Sequence, residues 1–358
     1  MHYFTLLNRT AALSDGSDYW MDRLMELEVC LLLWSYVECG SMLYMLYKTN
    51  QYHSNLTCLL KHLVIQYFFS MGARLVQIAY MYRMNPSVDL RESYVFTGAT
   101  LIRNWLVFIA FYFAPFAMFE RSYATIKIQD YENNQRLYVG YLLALILHLF
   151  CLISAVLFIL QVIPVWYHLG GFLTANIASF FVCLANDYCN AKRFESIALM
   201  GKDTANYSLS ERFQLVENLK TAHLFKRGIT FIIAFSISCS SFISAEIVEN
   251  DPILKNWMHV GFNYTAIVYG IGLPAAMYYY NHLWQKEFVR LWNVFKTMVC
   301  GRSNHVDLIE KQASLPKLKT TMGKDMLPRK ENETDIYFDQ LNKDWKFVRK
   351  HSARVLTV

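Results

Sequence analysis

Charge is scarce in this 358-residue chain: Asp, Glu, Lys and Arg make up 17%, with only seven prolines and 14 glycines to interrupt it. There is no Gly-rich phosphate loop, no dinucleotide fingerprint and no nucleophile–base pair. Nucleotide chemistry and hydrolysis are therefore not expected. His148 and His259 stand alone, outside any metal or catalytic spacing, and read as core histidines. Cys183 and Cys189 lack a second ligand pair, so no zinc site is expected, and no cofactor. Gly170-Gly171 opens no phosphate site and suits close helix packing. Residues 1–20 lack a basic start and an apolar run. A cleavable signal is not expected, and the first apolar stretch should be its own anchor.

What the chain does have is seven long apolar stretches: Leu27–Tyr47, Leu59–Tyr82, Ser93–Phe119, Leu137–Ile163, Trp166–Asp187, Ile229–Val248 and Asn256–Tyr280. Each is roughly 20–27 residues, enough to cross about 30 Å of hydrocarbon as a helix. Lipid admits a backbone only when its amides are bonded internally. The expected fold is an all-α, seven-transmembrane helix bundle over residues 27–280. An outer N-terminal segment (1–26) precedes it, an amphipathic helix (281–300) follows, and a polar, mostly disordered tail (301–358) ends the chain.

The basic residues orient it. With the N-terminus outside, the inner gaps hold about 12 Lys and Arg and the outer segments about 5, leaving the long tail out. The net charge of +6 is thus a topology signal, not a nucleic-acid footprint. Aromatic clusters at Tyr19-Trp20, Trp257 and Tyr278–Tyr280 suit the membrane interfaces. None of the eight cysteines falls in an outer loop, so no external disulfide is expected. Of the Asn-x-Ser/Thr triplets, only Asn8 lies where glycosylation could reach it. Asn55, Asn206, Asn263 and Asn332 should be silent.

Three ionisable residues lie deep in the spans: Glu38, Arg74 and Arg103. An unpaired charge at a helix centre costs roughly 2.5–3.5 kcal/mol, so these should face the bundle interior. Either Glu38 pairs with Arg74 or Arg103 and fixes helix packing, or a guanidinium at the floor of an outward cavity binds an acidic or polar ligand. Two arginines against one deep carboxylate keep the second reading open.

At the inner end of the third span stands Phe119-Glu120-Arg121-Ser122-Tyr123. A charged pair there can hold two states. Arg121 either rests on Glu120 and a polar group of the sixth helix, or swings free to meet an inserted partner. The alternative is a solvated ion pair that merely ends the helix. The run Glu120-Arg121-Ser122-Tyr123-Ala124-Thr125, followed by Asp130-Tyr131-Glu132, resembles the second inner loop of the nematode serpentine chemoreceptors of class epsilon. So does Tyr207-Ser208-Leu209-Ser210-Glu211-Arg212-Phe213-Gln214 with Glu217-Asn218-Leu219-Lys220 and Lys226-Arg227. The resemblance covers about residues 25–300. It implies a G-protein-coupled chemosensory receptor in the plasma membrane of sensory neurons, at their cilia. Its N-terminus would be extracellular, its partners a small-molecule ligand and a heterotrimeric G protein, and its coupling pair Glu120 and Arg121. The rhodopsin-like pattern is absent. There is no Cys at the outer end of the third span and no Cys-Trp-x-Pro in the sixth. The seventh reads Leu273-Pro274-Ala275-Ala276-Met277-Tyr278.

Ser208-Leu209-Ser210-Glu211 reads as a capping box, and good helix formers run on to Arg227. The sixth span is expected to continue inward as a lever. Trp284, Phe288, Leu291, Trp292, Phe295 and Val299 recur at three- and four-residue spacing with Lys286, Arg290 and Lys296 between them. This predicts a helix lying on membrane lipid, with its apolar face down and Cys300 as a palmitoylation candidate. A ligand-gated channel or transporter is the rival reading, but repeated halves and broken helices are missing.

Overall fold

The structure, a computed structural model, describes residues 6–49, 52–82, 90–127, 137–199 and 209–300. Among these it contains α1 (Arg9–Asp15), α2 (Asp18–Lys48), α3 (Ser54–Met81), α4 (Tyr94–Ile126), α5 (Leu137–Ile159), α6 (Val165–Leu199), α7 (Leu209–Val248), α8 (Pro252–Tyr280) and α9 (His282–Cys300). A single 3-10 turn, Leu90–Glu92, precedes α4. The helices α2 to α8 are each long and apolar enough to cross a membrane. Ser208, Asp130-Tyr131-Glu132, Asn206, Asn332 and the tail beyond Cys300 lie outside the described residues.

Helix ends follow local chemistry. Asn8 Oδ1 accepts from the Ala11 amide to start α1, and Gly16 closes it at φ 73°, a left-handed turn that glycine adopts freely. Ser93 caps α4. Asp251 caps α8, with Pro252 in its first turn, where a missing N–H costs nothing. α2 starts at Asp18, nine residues before the apolar stretch begins, because the amphipathic run Met21, Met25 already packs inward.

In the bundle, which extends to Leu291, α4 is the central element, packing against α3, α5, α6 and α7. α2 closes the ring between α3 and α8, and α7 packs between α6 and α8. The outer surface of α5 exposes Leu142, Leu145, Ile146, Leu149 and Ile153. In water such a patch would be a liability; in hydrocarbon it costs nothing.

An aromatic chain crosses the middle of the bundle. Phe172 of α6 stacks on Phe111 of α4 at 4.5 Å, Phe111 on Phe235 of α7 at 5.1 Å, and Phe235 on Tyr269 of α8 at 4.2 Å. Stacked rings fix lateral positions more sharply than aliphatic contacts do. α7 is one uninterrupted helix of 40 residues. Its apolar portion is Leu224–Val248, so the first four turns continue past the apolar zone.

Trp284 departs from expectation. Instead of turning toward lipid with the apolar face of α9, it is fully buried and packs on Tyr52 and Tyr278. Its indole donates to Thr49 Oγ1 at 3.0 Å. The cause is the tight start of α9, where Asn281 Oδ1 accepts from the Leu283 and Trp284 amides and turns the first helical residues back onto the bundle.

Candidate functional site

Two polar clusters interrupt the apolar interior, one in the half of the bundle that carries α1, the other at the opposite end. In the first, Arg74 of α3 grips Glu28 of α2 with both tines of its fork: Nε to Oε1 at 2.6 Å and Nη2 to Oε2 at 2.8 Å. Both side chains are 4% exposed. Arg103 of α4 sits on the same layer. Its Nη1 donates to Gln77 Oε1 at 2.9 Å and its Nη2 to Asn263 Oδ1. Each amide is itself held, Gln77 Nε2 on Thr100 Oγ1 and Asn263 Nδ2 on the His259 carbonyl. Four helices thus meet through one hydrogen-bonded layer.

The carboxylate here is Glu28, not Glu38. Counted from the true start of α2, Glu38 is 20 residues in, about 30 Å along the axis. It lies half-buried toward the opposite end, where Ser41 Oγ donates to its carbonyl and pairs with the Tyr278 hydroxyl. Glu28 is level with Arg74.

Glu28, Arg74 and Arg103 line a small cavity of about 30 Å³, whose far wall is Leu106, Phe235 and Tyr269. A second, smaller void of about 10 Å³ lies toward α1, lined by Leu7, Met21, His259 and Tyr264, and it also touches Glu28 and Arg74. The ion pair therefore forms the partition between the two. α1 sits over this second cavity. The backbone and side chain of Asn8 and Asn256 bond reciprocally at 2.8 and 3.0 Å, and Arg9 grips Asp22 at 2.5 and 2.9 Å. Asn8 itself is exposed.

At the other end, Arg121 bonds both oxygens of Glu120 on the same helix, Nε to Oε2 at 2.5 Å and Nη2 to Oε1 at 2.7 Å. Glu120 is fully buried and Arg121 nearly so. From Arg121 a run of amides leads outward. Arg121 Nη1 reaches Asn218 Oδ1 of α7 at 3.5 Å, Asn218 Nδ2 reaches Asn190 Oδ1 of α6 at 3.4 Å, and Asn190 returns to Thr125 of α4 at 3.1 Å. These residues surround a small void of about 10 Å³. Two turns further along α7, Lys226 pairs with Asp187 at 3.0 Å, and Arg227 lies 3.7 Å from the ring centre of Tyr280.

Sequence reasoning missed Glu28, Gln77, Asn263 and the Asn190–Asn218 contact as parts of the site. A signal existed for Glu28. It occupies the inward stripe Met21, Met25, Glu28, Leu32, Ser35, where a carboxylate has no place unless paired. The amides carry no charge and gave none. His148 is not solitary: it packs edge-on against His62 at 5.8 Å and against Trp105 at 5.6 Å. Cys300 ends α9. Among the described residues no group of His, Cys, Asp and Glu is placed to hold a metal.

Seven spanning helices with an interior polar layer and a charged pair at one end define a multi-pass membrane protein of the serpentine receptor class. More narrowly, residues 20–346 match the family described as Sre G protein-coupled chemoreceptor, and the chain belongs to that family. It is 30% identical over 347 residues to serpentine receptor class epsilon-8 of Caenorhabditis elegans, covering 96% of this chain and 97% of that protein. It is 25% identical to class epsilon-12 over 85% and 87% of the two chains, and 24% identical to class epsilon-13 over 96% of each, both from the same organism.

Proposed function

We propose that the protein binds a small molecule from outside the cell in the cavity floored by Arg103, and signals to a heterotrimeric G protein at the Glu120–Arg121 end. The observation that carries this reading is that α4 bears both polar centres. Arg103 and Arg121 are 18 residues apart on one helix, about 27 Å. A ligand pressing on Phe235 and Tyr269 would disturb the stack that joins α4, α7 and α8. The ligand acts only through its differential affinity for the two arrangements. The response falls on α7, whose long extension meets Arg121 through Asn218. Tilting that extension parts Asn218 from Arg121 and opens the amide-lined cavity to a partner.

In this reading α1 and Asn8 face outward and Asn8 carries a glycan. α9 rests on the inner leaflet with Cys300 as an acylation site, and the receptor resides at the plasma membrane of sensory cilia. The reading makes it a signalling protein, not an enzyme.

The test is ligand-stimulated nucleotide exchange by the receptor fused to a Gα subunit, across a broad panel of small molecules. Arg121→Ala should abolish stimulated exchange; because it strands the buried Glu120 charge, Glu120→Gln/Arg121→Ala is the arm in which surface expression and ligand binding should persist. Stimulation undiminished in Arg121→Ala would remove the coupling role. An antibody tag at Met1 should be reachable on intact cells; access only after permeabilisation reverses the orientation.

A further inference from the structure

The interior layer does not balance its charge. Glu28 is committed to Arg74 through both oxygens. Arg103, 4% exposed, has two uncharged amide oxygens as its hydrogen-bond acceptors, Gln77 Oε1 and Asn263 Oδ1. The charged side chains that act on it are Arg74 and Glu28. The layer therefore holds two guanidiniums and one carboxylate, a net single positive charge in a medium that solvates charge poorly. Two polar atoms lining the same cavity also lack hydrogen-bond partners: Arg74 Nη1, left over when Nε and Nη2 took Glu28, and the hydroxyl of Tyr269. Both are donors, and both are buried. A buried donor without an acceptor is rare and costly. Here two of them share a cavity with a surplus cation; Tyr67 and Ser70 also line it, and Leu106, Val107, Ala110 and Ile267 give it an apolar side.

We infer that the cavity is a site for a small monocarboxylate. This rests on the receptor reading and narrows its ligand class. A carboxylate has one negative charge, which cancels the surplus, and two oxygens, which accept from Arg74 Nη1 and from Arg103 or the Tyr269 hydroxyl. An acid with a short apolar body places that body against Leu106, Val107 and Ala110. Amines are repelled by the net charge. Neutral amides and alcohols can meet the donors but leave the charge uncancelled. A dicarboxylate brings one charge too many and would have to leave one carboxylate unpaired among the apolar walls. The ion pair that divides the two cavities sets the route. A carboxylate arriving from the second cavity meets Arg74 first and Arg103 next.

The test uses the full chain in phosphatidylcholine nanodiscs, with no G protein. Melting temperature is followed against sodium formate, acetate and propionate, and against the matching amides, at ionic strength held constant with sodium sulfate. The acids should raise the melting temperature saturably, with half-saturation at least about tenfold below that of the amides, since hydrogen bonds to a charged acceptor are roughly twice as strong. Arg103→Gln should erase the difference, Arg103→Lys should keep part of it, and Lys192→Gln, an exposed lysine of α6, should leave it intact. Since Arg103→Gln is liable to misfold, Asn263→Asp and Gln77→Glu provide an independent arm. Each puts a built-in carboxylate beside Arg103, so each should melt higher than wild type without ligand and lose the acid response.

Equal effects of acids and amides, no effect of the acids, an equal effect of chloride, or an acid response that survives Asn263→Asp would each overturn the assignment. Failure of the receptor reading is separable. A neutral compound that drives nucleotide exchange while acids do not bind rejects the ligand class alone. Acids that bind without any exchange reject the coupling and leave the site.

Discussion

The two buried Glu–Arg pairs use the same chemical groups and are built for different ends. Glu28 and Arg74 come from different helices, 46 positions apart in sequence, so parting them parts α2 from α3. Glu120 and Arg121 are neighbours on α4 and travel together whatever the other helices do. The first pair adjoins a second guanidinium and sits in a layer that ties four helices. The second is balanced one to one and reaches α7 through a 3.5 Å contact to Asn218, at the limit of a hydrogen bond. One pair fastens the bundle. The other is confined to one helix and meets α7 through a hydrogen bond between a guanidinium and an amide.

The sharpest break of this comparison is Glu28→Ala. It leaves two guanidiniums buried without a carboxylate, and removing one partner of a buried pair costs about 3–5 kcal/mol. Melting in detergent or nanodiscs should fall steeply. The double variant Glu28→Met/Arg74→Met should recover most of the loss, because replacing a whole buried pair by apolar groups is often close to neutral. A single variant as stable as wild type would show that the layer is not held by charge.

Next in size is Gly270→Ala. The Tyr67 ring lies directly against Gly270, and its hydroxyl donates to the Ala266 carbonyl of the same helix at 3.2 Å. A methyl group there overlaps the ring, and overpacking of this kind costs about 1–3 kcal/mol. Tyr67→Leu in the same chain should relieve it. The cost would show that the fastened half depends on backbone proximity as well as charge. If Gly270→Ala melts with wild type, α8 is free to move away from α3.

Glu120→Gln keeps the shape and removes the charge. Its cost should be smaller than that of Glu28→Ala, about 1–3 kcal/mol, since Arg121 retains an amide acceptor in place of the carboxylate. Under the coupling reading it should also raise basal nucleotide exchange. Asn218→Ala should cost under about 1 kcal/mol, the net worth of an ordinary hydrogen bond or less, yet move basal exchange in the same direction. A large stability loss with no change in exchange would make the Arg121 end a second fastener and dissolve the contrast.

The sequence makes half of this contrast legible. The seven spans are visible because lipid demands length and apolarity together. Arg74, Arg103, Glu120 and Arg121 are visible because charge in or beside an apolar run needs a reason. Glu28 is hidden by a boundary. Placing the start of the first span at Leu27 makes Glu28 look interfacial and Glu38 look deep, whereas a helix that begins at Asp18 carries both about 13 Å along and reverses their roles. Asn190, Asn218, Gln77 and Asn263 are hidden for another reason. An uncharged amide on a helix reads as part of a polar face, and only the packing of α3, α4, α6, α7 and α8 reveals that each one faces an arginine or another amide. Trp284 is obscured in the same way, because a periodic apolar face does not say whether lipid or protein covers it.

The smallest effect belongs to a carboxylate with no buried partner. Glu249, on the solvent-facing turn between α7 and α8, accepts the amides of Asp251 at 3.1 Å and Asn250 at 2.9 Å. Those two backbone bonds hold its carboxyl below the usual carboxylate range. A depressed native value means stability that is complete above the unfolded value of about 4.3 and is lost as pH falls through the native one. The melting temperature of wild type should therefore exceed that of Glu249→Gln slightly at pH 7. The gap should narrow as the pH drops below about 4 and close once the native carboxyl is protonated. It should stay well inside the loss caused by Glu28→Ala, since water screens an exposed charge that the interior cannot. A gap that holds constant across that range would mean the turn is fixed by the shape of the side chain, its charge contributing nothing. The weight placed on charge would then belong to the buried layers alone.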